Sequence, residues 1–231
     1  MAIFLDTGDI KDIEKYLRMG IIRGVTTNPS ILVKNGVTGG MEGVRKRSVE
    51  IAKLIAPLPL SVEVTSNDPK EMLRQGLEFS KWADNIAVKI TIHGPNGENE
   101  SLAVIHELET KHNVRVNVTA MMSAQQCFLA ALAGASYVSL FCGRVSNMGY
   151  DTREEIRRLR SLLEMHGLKA QIIAASTREV VNVIEWLESG AHIVTVQPSF
   201  LEGMIVHPYS KETVVQFMND AVKMQQDKAH H

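Results

Sequence analysis

The chain has 231 residues, of which 45% are hydrophobic and 22% are charged. This composition predicts one large folded domain spanning residues 1–231 and argues against extensive disorder. The 25 lysine and arginine residues nearly balance the 26 aspartate and glutamate residues, which excludes the strongly basic surface of many nucleic-acid-binding and membrane-surface proteins. We therefore expect no nucleic-acid or membrane partner, and an anionic ligand must be held by a local basic cluster.

The remaining composition argues against a secreted, membrane-spanning or metal-binding protein. Cys127 and Cys142 are too few for a disulfide framework, and Cys142 lies in an apolar run typical of a buried residue. No apolar run approaches the roughly 20 residues that cross a bilayer, and the N-terminus lacks the features of a signal peptide. No His, Asp, Glu or Cys cluster has metal-ligand spacing, so we predict a cytoplasmic protein without a metal or cofactor.

Short β-branched runs alternate with longer amphipathic segments along the whole chain. Strands are predicted at residues 3–6, 24–27, 60–65, 86–90, 114–119, 137–141, 171–176 and 192–196. Helices are predicted at residues 70–82, 124–133, 153–165 and 179–187, with a final one at about 211–228. Eight strand–helix units predict an α/β protein with a closed (β/α)8 TIM barrel, with a doubly wound open sheet as the structural alternative. The additional C-terminal helix is surplus to the barrel, so we expect it to pack outside it or against another subunit.

Polar residues stand at or near the ends of the predicted strands, where barrel enzymes carry their catalytic groups. Along strand 86–90, period-two alternation points Ile86, Val88 and Ile90 towards the helices and Lys89 towards the barrel interior. The same test, applied to the third and fifth strands, directs further polar side chains inwards: Glu63, Asn117 and Thr119. Alone, a polar residue at a strand end is more often a turn or capping group.

Lys89 is the strongest single candidate for a catalytic residue. A lysine in the middle of an apolar strand is costly to bury as an ammonium ion and is seldom structural. Burial favours the neutral amine, which attacks a carbonyl group to form an imine, and a protonated imine stabilises breakage of the adjacent carbon–carbon bond. Because a neighbouring carboxylate favours the charged form, we expect Glu63 to act through a water rather than by pairing directly with Lys89.

Several segments resemble the transaldolase family, in particular its small subfamily, which also contains fructose-6-phosphate aldolase. The matching segments retain the family's order and spacing along the whole chain, and they are Phe4-Leu5-Asp6-Thr7, Gly24-Val25-Thr26-Thr27-Asn28-Pro29-Ser30, Val62-Glu63-Val64, Val88-Lys89-Ile90, Asn117-Val118-Thr119, Ser139-Leu140-Phe141-Cys142-Gly143-Arg144, Ala174-Ala175-Ser176-Thr177-Arg178, Thr195-Val196-Gln197-Pro198 and His207-Pro208. The second of these segments is highly specific, whereas the pair Lys89-Ile90 alone is weak.

The resemblance implies a transaldolase of the pentose phosphate pathway type. Lys89 would form the Schiff base with a ketose phosphate, and Asp6 would be the general acid and base at the cleaved bond. Glu63 and Thr119 would hold a water that shuttles protons. The implied substrate-binding residues are Asn28, Thr27, Asn117, Ser139 and Phe141 for the dihydroxyacetone unit and its surroundings, with Arg144, Ser176 and Arg178 for the phosphate. The family also implies a ring-based homo-oligomer, a pentamer or a decamer.

Other functions remain open at this point. Glu63 and Phe141 follow the transaldolase pattern, whereas the aldolase resembles a variant with Gln and Tyr at these positions. One departure is the longer loop at residues 93–100, which we expect over the barrel mouth, where it bears on the acceptor sugar. The alternatives are an aldolase that releases dihydroxyacetone, a related enzyme with another acceptor, and a barrel that only binds sugar phosphates. An oxidoreductase is disfavoured because no Gly-x-Gly-x-x-Gly motif follows the first strand.

Overall fold

Eight parallel strands form a closed barrel in the computed structural model, which describes residues 2–227. The strands are β1 Ile3–Asp6, β2 Val25–Thr26, β3 Leu60–Glu63, β4 Ile86–Thr91, β5 Val116–Met121, β6 Tyr137–Leu140, β7 Gln171–Ala174 and β8 Ile193–Val196. Their order follows the chain, and β8 pairs with β1 to close the ring. The predicted (β/α)8 TIM barrel is therefore confirmed over the open-sheet alternative. Assignment of residues 1–231 to one domain stays a prediction.

The helices surround this barrel and extend beyond it at the C-terminus. They are α1 Ile10–Arg18, α2 Pro29–Lys34, α3 Gly40–Ile55, α4 Pro69–Phe79, α5 Ser101–Lys111, α6 Ala124–Leu132, α7 Cys142–Asn147, α8 Thr152–Met165, α9 Val180–Glu188, α10 Pro198–Ile205 and α11 Pro208–Asp227. The predicted C-terminal helix corresponds to α11, and it begins three residues earlier than expected. Residue 228 of that prediction, and His230 and His231, lie outside the described residues.

Four strands, β2, β3, β6 and β7, end earlier than the sequence pattern predicts, and backbone geometry explains the difference in β6 and β7. Phe141 was expected to end β6, but it is the N-cap of α7, and its carbonyl accepts from the N–H groups of Arg144 and Val145. Ser176 was expected to end β7, but its φ of 66° is left-handed and cannot continue a strand. Both residues therefore lie in the loops that follow the strands.

The apolar side chains form two separate layers. The larger core lies between barrel and helices and includes Val88 and Ile90, as alternation predicted, together with both cysteines. A smaller cluster fills the N-terminal end of the barrel interior and consists of Phe4, Ala87, Tyr137, Ile173 and Ile193. Within it, the rings of Phe4 and Tyr137 meet edge to face at 6.3 Å. We call this cluster the apolar floor, because the next inward residue of β1 or β4, two positions further along, is Asp6 or Lys89.

Gly24 makes room for this floor. A Cβ at residue 24 would lie 2.7 Å from the ring of Phe4, closer than real side chains approach. The glycine that opens the specific motif before β2 is thus explained by packing inside the barrel.

Glu109 on α5 connects the starts of two strands. Its Oε1 accepts from the backbone N–H of Val116 at 2.7 Å and from that of Ser136, just before β6, also at 2.7 Å. Burial raises the pKa of Glu109, and these hydrogen bonds oppose the rise. One carboxylate therefore satisfies two main-chain donors at the N-terminal end of the barrel.

We predict that Glu109→Leu lowers the free energy of unfolding by about 2–4 kcal/mol, because it leaves two partly buried N–H groups without an acceptor. Glu109→Gln retains a carbonyl acceptor and should lose less than half of that. Urea unfolding followed by circular dichroism measures both changes. The matched control is Glu107→Leu on the same helix, where the carboxylate pairs only with Lys111 and His112. Equal losses for the Glu107 and Glu109 variants would contradict the role of Glu109.

Candidate active site

A cavity of about 460 Å³ opens at the C-terminal end of the barrel, opposite the apolar floor. Residues from every strand end except β3 contribute to it, together with α1, α2, α7 and α10. The lining residues are Asp6, Thr7, Asp12, Thr26, Asn28, Ser30, Ile31, Lys34, Asn35, Lys89, Thr119, Ser139, Phe141, Arg144, Ala175, Ser176, Arg178, Thr195, Gln197, Pro198 and Ser199. Nine of the twelve residues predicted to form the site are in this set, and Glu63, which is not, contacts it through Lys89.

Lys89 is buried at the base of the cavity, with its side chain 6% exposed. Its Nζ lies 3.2 Å from Glu63 Oε2 and donates to the carbonyl of Thr27 at 3.2 Å. The pairing of β3 with β4 brings this about, because Glu63 and Lys89 are partners in register. The expectation that Glu63 does not pair directly with Lys89 is therefore wrong, and its action through a water stays a prediction. An ammonium ion this deeply buried needs a nearby counter-charge, and register supplies one.

Asp6 stands across the same cavity at the end of β1. Burial raises the pKa of the Asp6 carboxyl, while the charge of Lys89 and a hydrogen bond from Thr26 Oγ1 at 2.6 Å oppose that rise. Because burial and the neighbouring groups act on its pKa in opposite directions, the Asp6 carboxyl is suited to accept a proton in one step and return it in another.

Thr119 carries an unsatisfied polar atom into the cavity. Its Oγ1 is buried and has no hydrogen-bond partner among the described residues. β5 is irregular at this point, because its register with β6 shifts between Val118 and Met121, and Ala120 has a φ of 60°. Such bulges redirect side chains next to active sites. A buried hydroxyl without a partner is a natural contact for a ligand or a water.

Asn117 and Ser139 form a buried chain with Ser61 beneath the cavity. Asn117 Nδ2 donates to Ser61 Oγ at 3.0 Å, and Ser139 Oγ donates to Asn117 Oδ1 at 2.7 Å. Ser139 reaches the cavity, whereas Asn117 does not line it. Asn117 therefore holds Ser139, which lines the cavity, and the contact of either residue with a substrate stays a prediction.

Asn28 and Thr27 follow β2 but point in different directions. The side-chain oxygen of Asn28, Oδ1, caps α2 by accepting from Ile31 N at 2.8 Å. This leaves the side-chain NH2 group of Asn28 as a donor for a ligand. Pro29 then occupies the first turn of the helix. Thr27 donates instead to the carbonyl of Ser61 at 2.8 Å and does not line the cavity. The structure therefore corrects the prediction for the Thr27 side chain: Thr26 faces the cavity in its place.

Two arginines form the far wall of the cavity. Arg144 on α7 lies over the ring of Phe141, with its guanidinium carbon 5.3 Å from the ring centre. Arg178 follows Ser176 in the loop after β7. Neither guanidinium forms an ion pair with any side chain that the structure describes, although ion pairs are frequent elsewhere. Two unneutralised guanidinium groups facing one cavity favour an anionic ligand such as a phosphate.

Gly143 lets the two arginine-bearing loops approach each other. A Cβ at residue 143 would lie 1.8 Å from the carbonyl oxygen of Ser176, so any other residue would separate the loops. Ser176 itself has a left-handed backbone, which is costly for a residue other than glycine and typical of functional loops. The close approach places Arg144 and Ser176 on one wall.

Several cavity residues were not predicted from the sequence. Thr26 faces the cavity because it follows the outward-facing Val25, but β2 has only two residues and is too short for its sequence to show the alternation. Asp12 and Lys34 come from helices and Asn35 directly follows α2, and the sequence gives no signal that separates these three from ordinary surface residues.

No group of three or more His, Cys, Asp or Glu within residues 2–227 is arranged to hold a metal ion. Over the same residues, none of the helices combines the length and apolar character needed to cross a bilayer.

The loop at residues 93–100 was expected over the mouth, but none of its residues lines the cavity. It folds on itself instead, through a hydrogen bond from Gly94 N to Glu98 O at 2.8 Å.

Comparison with known proteins gives a consistent picture. A family model described as transaldolase/fructose-6-phosphate aldolase matches residues 3–231. A protein of Dehalococcoides mccartyi named a probable transaldolase is 38% identical over 95% of this chain and 97% of its own length. Proteins named probable transaldolase in Exiguobacterium sibiricum and probable transaldolase 1 in Bacillus cereus are 36% and 34% identical, each over 98% of this chain and 100% of their own length.

Proposed function

Because the chain belongs to the transaldolase/fructose-6-phosphate aldolase family, we propose that it is a transaldolase that transfers a dihydroxyacetone unit between sugar phosphates. The donor and product are of the fructose 6-phosphate and sedoheptulose 7-phosphate type, as in the pentose phosphate pathway, and catalysis needs no metal or cofactor. One observation carries the proposal. The buried Lys89, which is paired with Glu63, shares one cavity with Asp6 and with two arginines that form no ion pair within the described residues. The cytoplasmic location expected from the sequence stays a prediction.

Imine formation begins at Lys89. Transfer of one proton from the Lys89 ammonium to Glu63, 3.2 Å away, gives the neutral amine that attacks the ketose carbonyl. The resulting carbinolamine loses its hydroxyl group as water, and Glu63 supplies the proton for that step. The unpartnered Thr119 hydroxyl is placed to hold this water within the cavity. The product is a protonated imine between Lys89 and the donor.

Asp6 then acts at the bond that breaks. As a carboxylate it accepts the proton of the donor hydroxyl next to that bond, and the electrons of the carbon–carbon bond move towards the imine nitrogen. An aldose phosphate leaves, and the dihydroxyacetone unit remains on Lys89 as an enamine. The enamine attacks the carbonyl of an acceptor aldose phosphate, and Asp6 returns the proton to the new hydroxyl. Hydrolysis of the imine releases the product and restores the Lys89 amine.

The remaining polar residues hold the two ends of the sugar. Asn28 and Ser139 line the same cavity as Lys89, where they can bond the hydroxyl groups of the dihydroxyacetone unit. The phosphate is held by Arg144, Ser176 and Arg178, at the wall formed by the loops after β6 and β7, a frequent position for phosphates in such barrels.

Transfer is favoured over release of free dihydroxyacetone by one feature of the site. Phe141 lines the cavity and has no acidic hydrogen, so it cannot deliver a proton to the waiting enamine. The aldolase that releases dihydroxyacetone remains the second candidate, because the family contains both activities. Assays with fructose 6-phosphate, with and without erythrose 4-phosphate, separate the two, since only a transaldolase depends on the acceptor.

We predict that borohydride added with fructose 6-phosphate inactivates the enzyme and leaves a reduced adduct on Lys89, because a protonated imine is reducible. Peptide mass spectrometry identifies the modified residue. Borohydride alone is the first control, and Lys34→Ala is the second, since Lys34 is another cavity lysine. An adduct on Lys34, or none at all, would rule out the mechanism.

We also predict that Arg144→Ala and Arg178→Ala each raise KM for fructose 6-phosphate by about one to two orders of magnitude. Each guanidinium forms charge-assisted hydrogen bonds with the phosphate, and loss of binding remote from the reacting atoms appears mainly in KM. KM for fructose or dihydroxyacetone as donor should change far less.

Two further variants sharpen this comparison. Arg157→Ala removes an exposed arginine on the outer helix α8, and it should change neither KM. Lys34→Ala tests whether the phosphate is held at the opposite wall. Equal losses for phosphorylated and unphosphorylated donors would show that the arginines are structural, and a larger selective loss for Lys34→Ala would place the phosphate elsewhere.

The helix α11 supports a homo-oligomer. Every side chain described for it is exposed, including Phe217 at 65% and Met218 at 64%. Val214, Phe217, Met218 and Val222 share one face, because they follow a spacing of three to four residues. A stripe of this size on a single chain favours cover by a second copy, in agreement with the ring-based pentamer or decamer that the sequence resemblance implies.

We predict that Phe217→Glu dissociates this oligomer, because it places a charge in the apolar stripe. Light scattering coupled to size-exclusion chromatography gives the mass of each species. Gln216→Glu, on the opposite face of the same helix, adds the same charge and should leave the mass unchanged. A monomeric wild type, or equal masses for all three proteins, would contradict the assignment.

A further inference from the structure

Three side chains from adjacent strands form a continuous hydrogen-bonded row at the edge of the cavity. Thr26 Oγ1 on β2 donates to Asp6 Oδ1 on β1 at 2.6 Å, and it lies 2.5 Å from Thr195 Oγ1 on β8. Both threonines are buried, with 2% and 4% of their surface exposed. Since β1 pairs with β2 on one side and β8 on the other, the row spans all three strands where the barrel closes.

The hydrogens available in this row determine which group donates in each hydrogen bond. A hydroxyl group has one hydrogen, and the Thr26 hydrogen is directed to the Asp6 carboxylate. The contact between the two threonines must therefore be donated by Thr195. The order is Thr195 to Thr26 to Asp6, and each bond polarises the next, which strengthens the final bond to the carboxylate.

We propose that Thr195 is a positioning residue for Asp6, and that it acts through Thr26 to keep the carboxylate ionised and oriented towards the reacting hydroxyl. This inference rests on the proposed function, in which Asp6 accepts that proton. It assigns a role on β8, a strand that otherwise supplies none of the reacting groups. It also explains why a row of buried hydroxyls lies beside a carboxyl group whose pKa is raised by burial.

Other charges also face Asp6, and the row has to be tested against them. Lys89 favours the carboxylate, whereas Glu63 opposes it. Further ionisable groups of the same cavity come from α1, α2 and the loops after β6 and β7, and they are Asp12, Lys34, Arg144 and Arg178. Replacing a threonine with valine changes none of these charges and nearly preserves volume, so a change in Asp6 titration is attributable to the hydroxyl.

The experiment is the pH dependence of kcat/KM for transfer from fructose 6-phosphate to erythrose 4-phosphate. Thr195→Val removes the donor to Thr26, so Asp6 protonates at a higher pH and the acid limb should move up by roughly 0.5 pH unit. Thr26→Val removes the direct bond and should move the limb further, by about one unit. Thr195→Ser keeps the hydroxyl and should restore the wild-type limb.

The double variant gives the decisive comparison. If Thr195 acts only through Thr26, Thr195→Val should add no further shift in the Thr26→Val background. The matched control is Thr177→Val: this buried threonine donates to the Thr195 carbonyl at 2.8 Å and not to the row. It should leave the acid limb in place. Additive shifts in the double variant, no shift in Thr195→Val, or an equal shift in Thr177→Val would overturn the proposal.

A second readout separates this proposal from the proposed function. Infrared titration with 13C-labelled aspartate, assigned by Asp6→Asn, reports Asp6 protonation without any turnover. Wild-type protein that neither transfers nor releases dihydroxyacetone would refute the proposed function, and the infrared titration would still test the row. An Asp6 titration identical in wild type and Thr195→Val would refute the row even in an active transaldolase.

Discussion

The site depends on the cost of burying a lysine inside a closed barrel. An isolated ammonium ion there would be strongly unfavourable, so the barrel must supply a partner or a proton acceptor. The register of β3 with β4 places Glu63 beside Lys89, and the pair is 3.2 Å apart. The same pair that makes the lysine tolerable in the folded state can exchange the proton that the proposed imine formation requires. Structural stability and reactivity therefore rest on one contact.

The sequence predicts the barrel and its inward-facing residues well where strands are long enough for alternation to be read. β4 has six residues, and its pattern correctly separates Lys89 from Val88 and Ile90. β2 has only two, which is too short to show a pattern, and Thr27 was chosen where Thr26 faces the cavity. Period two is a property of regular strands, so its predictive power ends where the strand does.

Three features could not be read from the sequence, because they depend on distant parts of the chain or on backbone geometry. The contact of Thr26 with Thr195 joins residues 169 positions apart, and only closure of the barrel brings them together. The direct pairing of Lys89 with Glu63 requires the exact register of two strands. The left-handed backbone of Ser176 and the close approach at Gly143 arise where two loops meet, and neither has a local sequence signal that distinguishes it from an ordinary turn.

The apolar floor has a kinetic consequence for the proposed transfer. Phe4, Tyr137 and their neighbours fill the N-terminal end of the barrel interior, so the cavity is a well that is closed at that end. In the proposed reaction, the departing aldose leaves through the opening that admits the acceptor, and both would bind with their phosphate at the same arginine wall. The two cannot occupy the well together, and the order of events is imposed by its shape: the first product must leave before the second substrate enters. Double-displacement kinetics would then follow from five side chains that never touch the sugar.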